Sequence, residues 1–151
     1  MAKNIQKIIT YINLLNGENM QENLLTEAQE KALYAQECAV VNNIFKLRDI
    51  FIKNLKSKIV NLETILRHKN DPEVSKQLEI ETNKLKKDSS LVGLVLSLMK
   101  IQNSWIINKM YCDEETRYNK EWYTDYFSKT TFYKRKRDAI KEFIEIYFNY
   151  V

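Results

Sequence analysis

The side chains in this chain with the clearest chemical purpose are cations. Lys129, Lys134, Arg135, Lys136, Arg137 and Lys141 crowd between Ser128 and Phe143, against two acids, Asp138 and Glu142. Closely set cations neutralise phosphates, and binding of that kind weakens as salt rises. Thr130, Thr131 and Tyr133 stand among them and offer hydroxyls for hydrogen bonds to phosphates or base edges. The surrounding pattern explains how such groups would be held. Ser128 is a good helix N-cap. Behind it Phe132, Ala139, Ile140, Phe143, Ile144 and Tyr147 recur at helical spacing. A helix running nearly to Tyr150 is therefore expected, with an apolar inner stripe. Its outer face would carry Lys129, Thr130, Thr131, Lys134, Arg135, Lys136, Arg137 and Lys141. A helix that presents a Lys/Thr start and then a run of cations suits the DNA major groove.

Other chemistries find little support. The single histidine, His68, lies between Arg67 and Lys69 near a helix end and reads as a surface residue. Two glycines, Gly17 and Gly93, cannot build a phosphate loop. Cys38 and Cys112 have no metal or redox spacing and read as reduced thiols. Glu79, Glu81, Asp113, Glu114 and Glu115 show no ligand spacing. No enzyme activity, cofactor or metal is expected.

With 44% hydrophobic and 29% charged residues, the composition is that of a folded domain rather than a disordered one. Two Gly and one Pro make long helices more suitable than a turn-rich sheet. The net charge of +4 comes largely from the carboxy-terminal segment, so the excess is local. The most apolar run, Leu91 to Met99, falls short of the ~20 residues that cross a bilayer. No signal peptide is visible, and a cytoplasmic protein without a membrane partner is expected.

The supporting elements follow in chain order. Ile5, Ile8, Ile9, Ile12 and Leu15 predict an amphipathic helix over 3–16, with Gly17 as its terminal cap and 17–25 as a connection. Thr26-x-x-Gln29 is a capping box opening a helix that continues to about His68. Within it Phe45, Ile52, Ile59 and Leu66 are seven apart, and Val41, Leu55 and Leu62 fill a second seam, broken by Arg48. Two readings remain open: the spine of an intramolecular bundle, or a coiled coil that makes a homodimer through 41–66. Asp71-Pro72-Glu73 caps a further helix, with a thin stripe of Val74, Leu78 and Leu85, folded back as a hairpin. Asp88, Ser89 and Ser90 precede an apolar helix expected over 91–111, in which Gly93 allows close helix approach. Asp113 opens a short helix to about Tyr126. Its aromatics, Tyr118, Trp122, Tyr123, Tyr126 and Phe127, read as core or as a base-stacking platform.

Ser128, the polar run Lys129-Thr130-Thr131-Phe132-Tyr133 and the pair Ala139-Ile140 followed by Phe143 carry a family likeness. The segment 113–147 resembles the helix-turn-helix of sigma factor region 4, and more closely that of ArpU-type phage late-transcription regulators. The amino-terminal 90 residues, rich in Asn and Lys, are similar in character to small mollicute proteins. The helical periodicity and the scarcity of Gly and Pro predict an all-α fold, a long helical hairpin or bundle, and the likeness adds a helix-turn-helix at its end. Together they divide the chain into an oligomerisation or partner-binding region, 1–88, and a DNA-binding region, 89–151. The likeness implies that Lys129, Thr130, Thr131 and Lys134 approach base edges. Tyr133, Arg135, Lys136, Arg137 and Lys141 would meet phosphates, and Ser128 would cap the recognition helix. The expected function is that of a transcriptional regulator bound to double-stranded DNA, with RNA polymerase as a candidate partner. The alternative is a non-enzymatic helical interaction or scaffold protein.

Overall fold

A computed structural model describes residues 26–87 and 90–150. The helix expected over 3–16 and the connection 17–25 lie outside the described residues. Within them the regular structure is entirely helical, so the all-α expectation holds.

Helix α1, Glu27–His68, is 42 residues long, about 63 Å at the usual rise per residue. Its capping box forms as expected. The Gln29 N–H donates to the Thr26 hydroxyl at 3.2 Å, and the Thr26 N–H donates to the Gln29 side-chain oxygen at 2.9 Å. Lys69 turns extended, and Asp71 accepts from the Glu73 N–H at 3.0 Å to start α2, Pro72–Lys86. Helix α2 folds back along α1. Ser90 caps α3, Leu91–Leu98, by accepting from the Gly93 N–H at 3.2 Å.

The single helix expected over 91–111 is in fact two. Met99 and Lys100 are both extended, and α4 begins afresh at Ile101 and runs to Tyr111. The cause lies elsewhere in the chain. The Lys100 N–H donates to a Glu142 carboxylate oxygen at 2.7 Å, and the Asn103 amide donates to the other oxygen. Glu142 thus satisfies the start of α4, which has no side-chain cap of its own.

The helix expected from Asp113 to Tyr126 does not form. Asp113 accepts from the Glu115 N–H at 2.9 Å and Asn119 from the Glu121 N–H at 3.0 Å. Such local bonds offer the backbone an alternative to the helical ladder. Turns fill this stretch, and a single 3₁₀ turn forms at Trp122–Asp125. The chain then enters α5, Lys129–Tyr150.

One hydrophobic cluster joins these pieces. It takes Val40, Val41, Ile44 and Phe45 from α1, Val92 and Val95 from α3, and Ile106 and Ile107 from α4. Trp122 and Tyr123 join it, together with Phe132, Ala139, Ile140 and Phe143 of α5. One core thus draws on both expected regions, 1–88 and 89–151, because the first half of α1 packs with the carboxy-terminal helices. The heptad seams of α1 are also used within the chain. Val41, Phe45 and Leu55 are buried, and Ile52, Ile59, Leu62 and Leu66 are half-buried, with α2 and α5 packed on this helix. The seam thus packs within the chain's own bundle, with Ile52, Ile59, Leu62 and Leu66 left half-buried.

Candidate nucleic-acid interface on α5

The start of α5 rests on aromatic packing. Phe132 stacks on Tyr123 with ring centres 4.0 Å apart and meets Trp122 edge-on at 5.5 Å. Trp105 of α4 closes on Trp122 at 5.5 Å and on Tyr126 at 5.1 Å. Trp122 and Tyr123 are buried, so they serve as core and not as a surface on which bases could stack. Tyr118 and Tyr126 are exposed, the former beneath the Arg117 guanidinium at 5.0 Å.

Ser128 caps the helix as anticipated: its hydroxyl accepts from the Thr131 N–H at 3.3 Å and donates to the Thr131 hydroxyl at 2.9 Å. Lys129, Thr130, Thr131 and Lys134 all face solvent at this end. Phe132 and Ile140 are buried on the opposite side. The cap, the exposed polar start and the buried stripe therefore coexist on one helix.

The remaining cations do not form the single outer face expected. Lys136 is half-buried, because it lies four residues from Phe132 and seven from Phe143, on the inner stripe. Its ammonium sits 5.8 Å from the centre of the Tyr133 ring. Arg135 turns towards α4, where it donates to the Gln102 side-chain oxygen at 3.1 Å. Arg137 turns the other way and covers the Tyr34 ring of α1 at 4.9 Å. Two edges result. Lys134, Arg137 and Lys141, spaced by three and four, make a cationic edge beside α1. Arg135, Asp138, Glu142 and Glu145 make a mixed edge facing the α3–α4 junction, along an open groove of about 850 Å³ that Lys141 also lines.

The cationic edge stands over buried polar groups that sequence reasoning missed. Glu37 of α1 is 7% exposed, and one of its oxygens has no hydrogen-bond partner. Burial pushes its carboxyl above the ordinary range, while the charges of Lys141 and Arg137 pull it down. Burial and the neighbouring Cys38 likewise raise the Tyr34 phenol, and burial raises that of Tyr111. The only hint in the sequence was a glutamate on the apolar side of α1, one turn before Val41.

A second unanticipated contact ties the turn-rich stretch to α1. Arg117 donates to both Asp49 oxygens, at 2.6 and 3.4 Å, and that pair raises the guanidinium further above its already high value. Nearby, Lys109 bridges Asp113 at 2.7 Å, which lowers the Asp113 carboxyl.

Among the described residues no group of His, Cys, Asp or Glu is arranged to hold a metal ion, and no helix is long and apolar enough to cross a membrane. The two-helix unit implied by the sigma and ArpU likeness needs a short turn between its helices. Here α4 ends at Tyr111 and α5 starts at Lys129, with turns and one 3₁₀ turn between them. Comparison with protein-family models, curated proteins and solved structures gives no significant match for this chain.

Proposed function

We propose that the chain is a non-enzymatic DNA-binding regulator that sets the capped end and the cationic edge of α5 against double-stranded DNA. One observation carries this reading: Lys129, Thr130, Lys134, Arg137 and Lys141 are solvent-facing on a helix whose other side is immobilised in an aromatic core. The first turn of a helix also favours phosphate through its free N–H groups and dipole. In this reading Lys129, Thr130, Thr131 and Lys134 meet base edges, while Tyr133, Arg137 and Lys141 meet phosphates. Arg135 and Lys136 drop out of the contact set, since Arg135 bonds Gln102 on the edge away from Lys134 and Arg137, and Lys136 is half-buried. Helix α1 beside Arg137 limits how deeply α5 enters a groove, so phosphate contacts dominate. The α1–α2 hairpin would reach a protein partner such as RNA polymerase, and a DNA partner would set the protein's place in the cytoplasm.

The test is binding to AT-rich duplex by fluorescence anisotropy across a salt series. About two neutralised phosphates, at Arg137 and Lys141, predict a log–log slope near −2. Arg137→Ala with Lys141→Ala should weaken binding to every duplex and flatten that slope. Thr131→Ala should instead narrow the difference between sequences. Absence of salt-sensitive binding would end this reading.

A second reading, a helical interaction or scaffold protein, is favoured by the hairpin itself. Ile50, Val60, Ile65 and Ile80 point outward from α1 and α2. Under it, the four-fold change Ile50→Ser/Val60→Ser/Ile65→Ser/Ile80→Ser abolishes partner capture and leaves duplex affinity unchanged.

A further inference from the structure

The α3–α4 junction carries an apolar row that the preceding readings leave unused. Leu91, Leu94, Leu98 and Ile101 are 54%, 49%, 53% and 87% exposed. Leu91, Leu94 and Leu98 lie three and four apart on α3, the spacing of a helix-pairing seam, and Ile101 opens α4 just past the break. Ile101 is the most exposed large hydrophobic side chain among the described residues. It is not a frayed end. Glu142 holds the Lys100 N–H on one side of it and the Asn103 amide on the other, so Ile101 is presented as a fixed knob.

Beside the knob lies a hole. The apolar lining of the open groove between the junction and α5 is Leu98 and Ile146. The charged lining carries both signs, Lys100, Arg135 and Lys141 against Asp138, Glu142 and Glu145.

We propose that this face pairs with a second copy of the chain about a two-fold axis, each Ile101 seating over the Leu98–Ile146 groove of the other copy. A knob and a hole on one face are what a two-fold contact requires, because each residue of one copy then meets the same set on the other. The charged lining points to the same occupant. A uniformly acidic or basic partner would match half of it and be repelled by the rest, whereas a second copy can set Lys100 and Arg135 against Asp138 and Glu145. Four apolar side chains and a groove make a smaller contact than the roughly 800 Å² per partner of a standard interface. The dimer should therefore exchange with monomer, with a dissociation constant in the micromolar range. This pairing does not depend on DNA binding, and either can fail while the other stands.

The experiment is sedimentation velocity of the full chain from about 1 to about 200 µM, a range that brackets micromolar dissociation constants. The wild type should shift from monomer to dimer across it. Ile101→Glu should remain monomeric throughout with an unchanged circular dichroism spectrum, since the side chain already faces water. Leu94→Glu should weaken the dimer at least ten-fold. A wild type that stays monomeric to the top of the range overturns the proposal. So does a monomer that becomes reactive to an apolar dye only when residues 3–16 are deleted, because that segment would then be the occupant. An Ile101→Glu variant that dimerises like the wild type also overturns it.

Discussion

The two halves of α1 behave as different materials. From Val40 to Phe45 its apolar residues are closed in by α3, by α5 and by Tyr111, whose ring stacks on Phe45 at 4.5 Å. Beyond Asp49 the same helix has chiefly α2 for company, and of its apolar residues there Leu55 alone is fully buried. Secondary structure is identical along the two halves, so helix propensity cannot explain the difference. The number of elements sharing the buried side does. Stability should therefore be concentrated at the carboxy-terminal end of the fold, with the hairpin an appendage that opens at lower cost.

That contrast can be broken most sharply at Phe143, which is fully buried and meets Phe45 at 5.5 Å. Phe143→Ala should cost about 3–5 kcal/mol in urea unfolding, and Leu62→Ala in the hairpin much less. Equal losses at the two sites would dissolve the distinction. Next in size is the strap between the halves. Arg117→Ala removes the double contact to Asp49 and should cost about 1–2 kcal/mol, with faster hydrogen exchange in 113–118.

The third test uses pH. Because burial raises the Glu37 carboxyl above its unfolded value, the folded state holds that proton more tightly. The resulting stability is present at low pH and lost as pH rises through the folded value. Glu37→Gln should then stabilise the protein at pH 8, by roughly 1 kcal/mol or less, and leave it unchanged at pH 4. A stabilisation that grew towards acid would reverse the assignment. The smallest effect belongs to the far end of α1. Thr26→Ala deletes one side of the capping box and should cost about 0.5–1 kcal/mol, seen as fraying of the first turn alone.

Much of this organisation was legible in the sequence because its causes are local. Thr26 with Gln29, Asp71 with Pro72, Ser90 and Ser128 each cap the helix they were expected to cap. The stripe from Phe132 to Phe143 is buried as its spacing requires. The misses come from distant partners or competing turns. The α3–α4 break depends on Glu142, 42 residues along from Lys100. The 113–126 stretch is diverted by Asp113 and Asn119, whose side chains bind the backbone just ahead of them. The splitting of the α5 cations reflects Tyr34 and Gln102, neither of them near in sequence. Lys136 is different: its interval of four from Phe132 already puts it on the inner side, so its burial is local in origin.

Glu142 also ties two surfaces together, in addition to the packing of α3 and α4 on α5 and the Arg135–Gln102 bond. It belongs to the helix bearing the cations, yet its carboxylate grips the elbow from which Ile101 projects. Any force that rotates or draws α5 must therefore turn the elbow too. A load applied on one side of the molecule would be felt on the other, with this carboxylate acting as a crank within the packed helices.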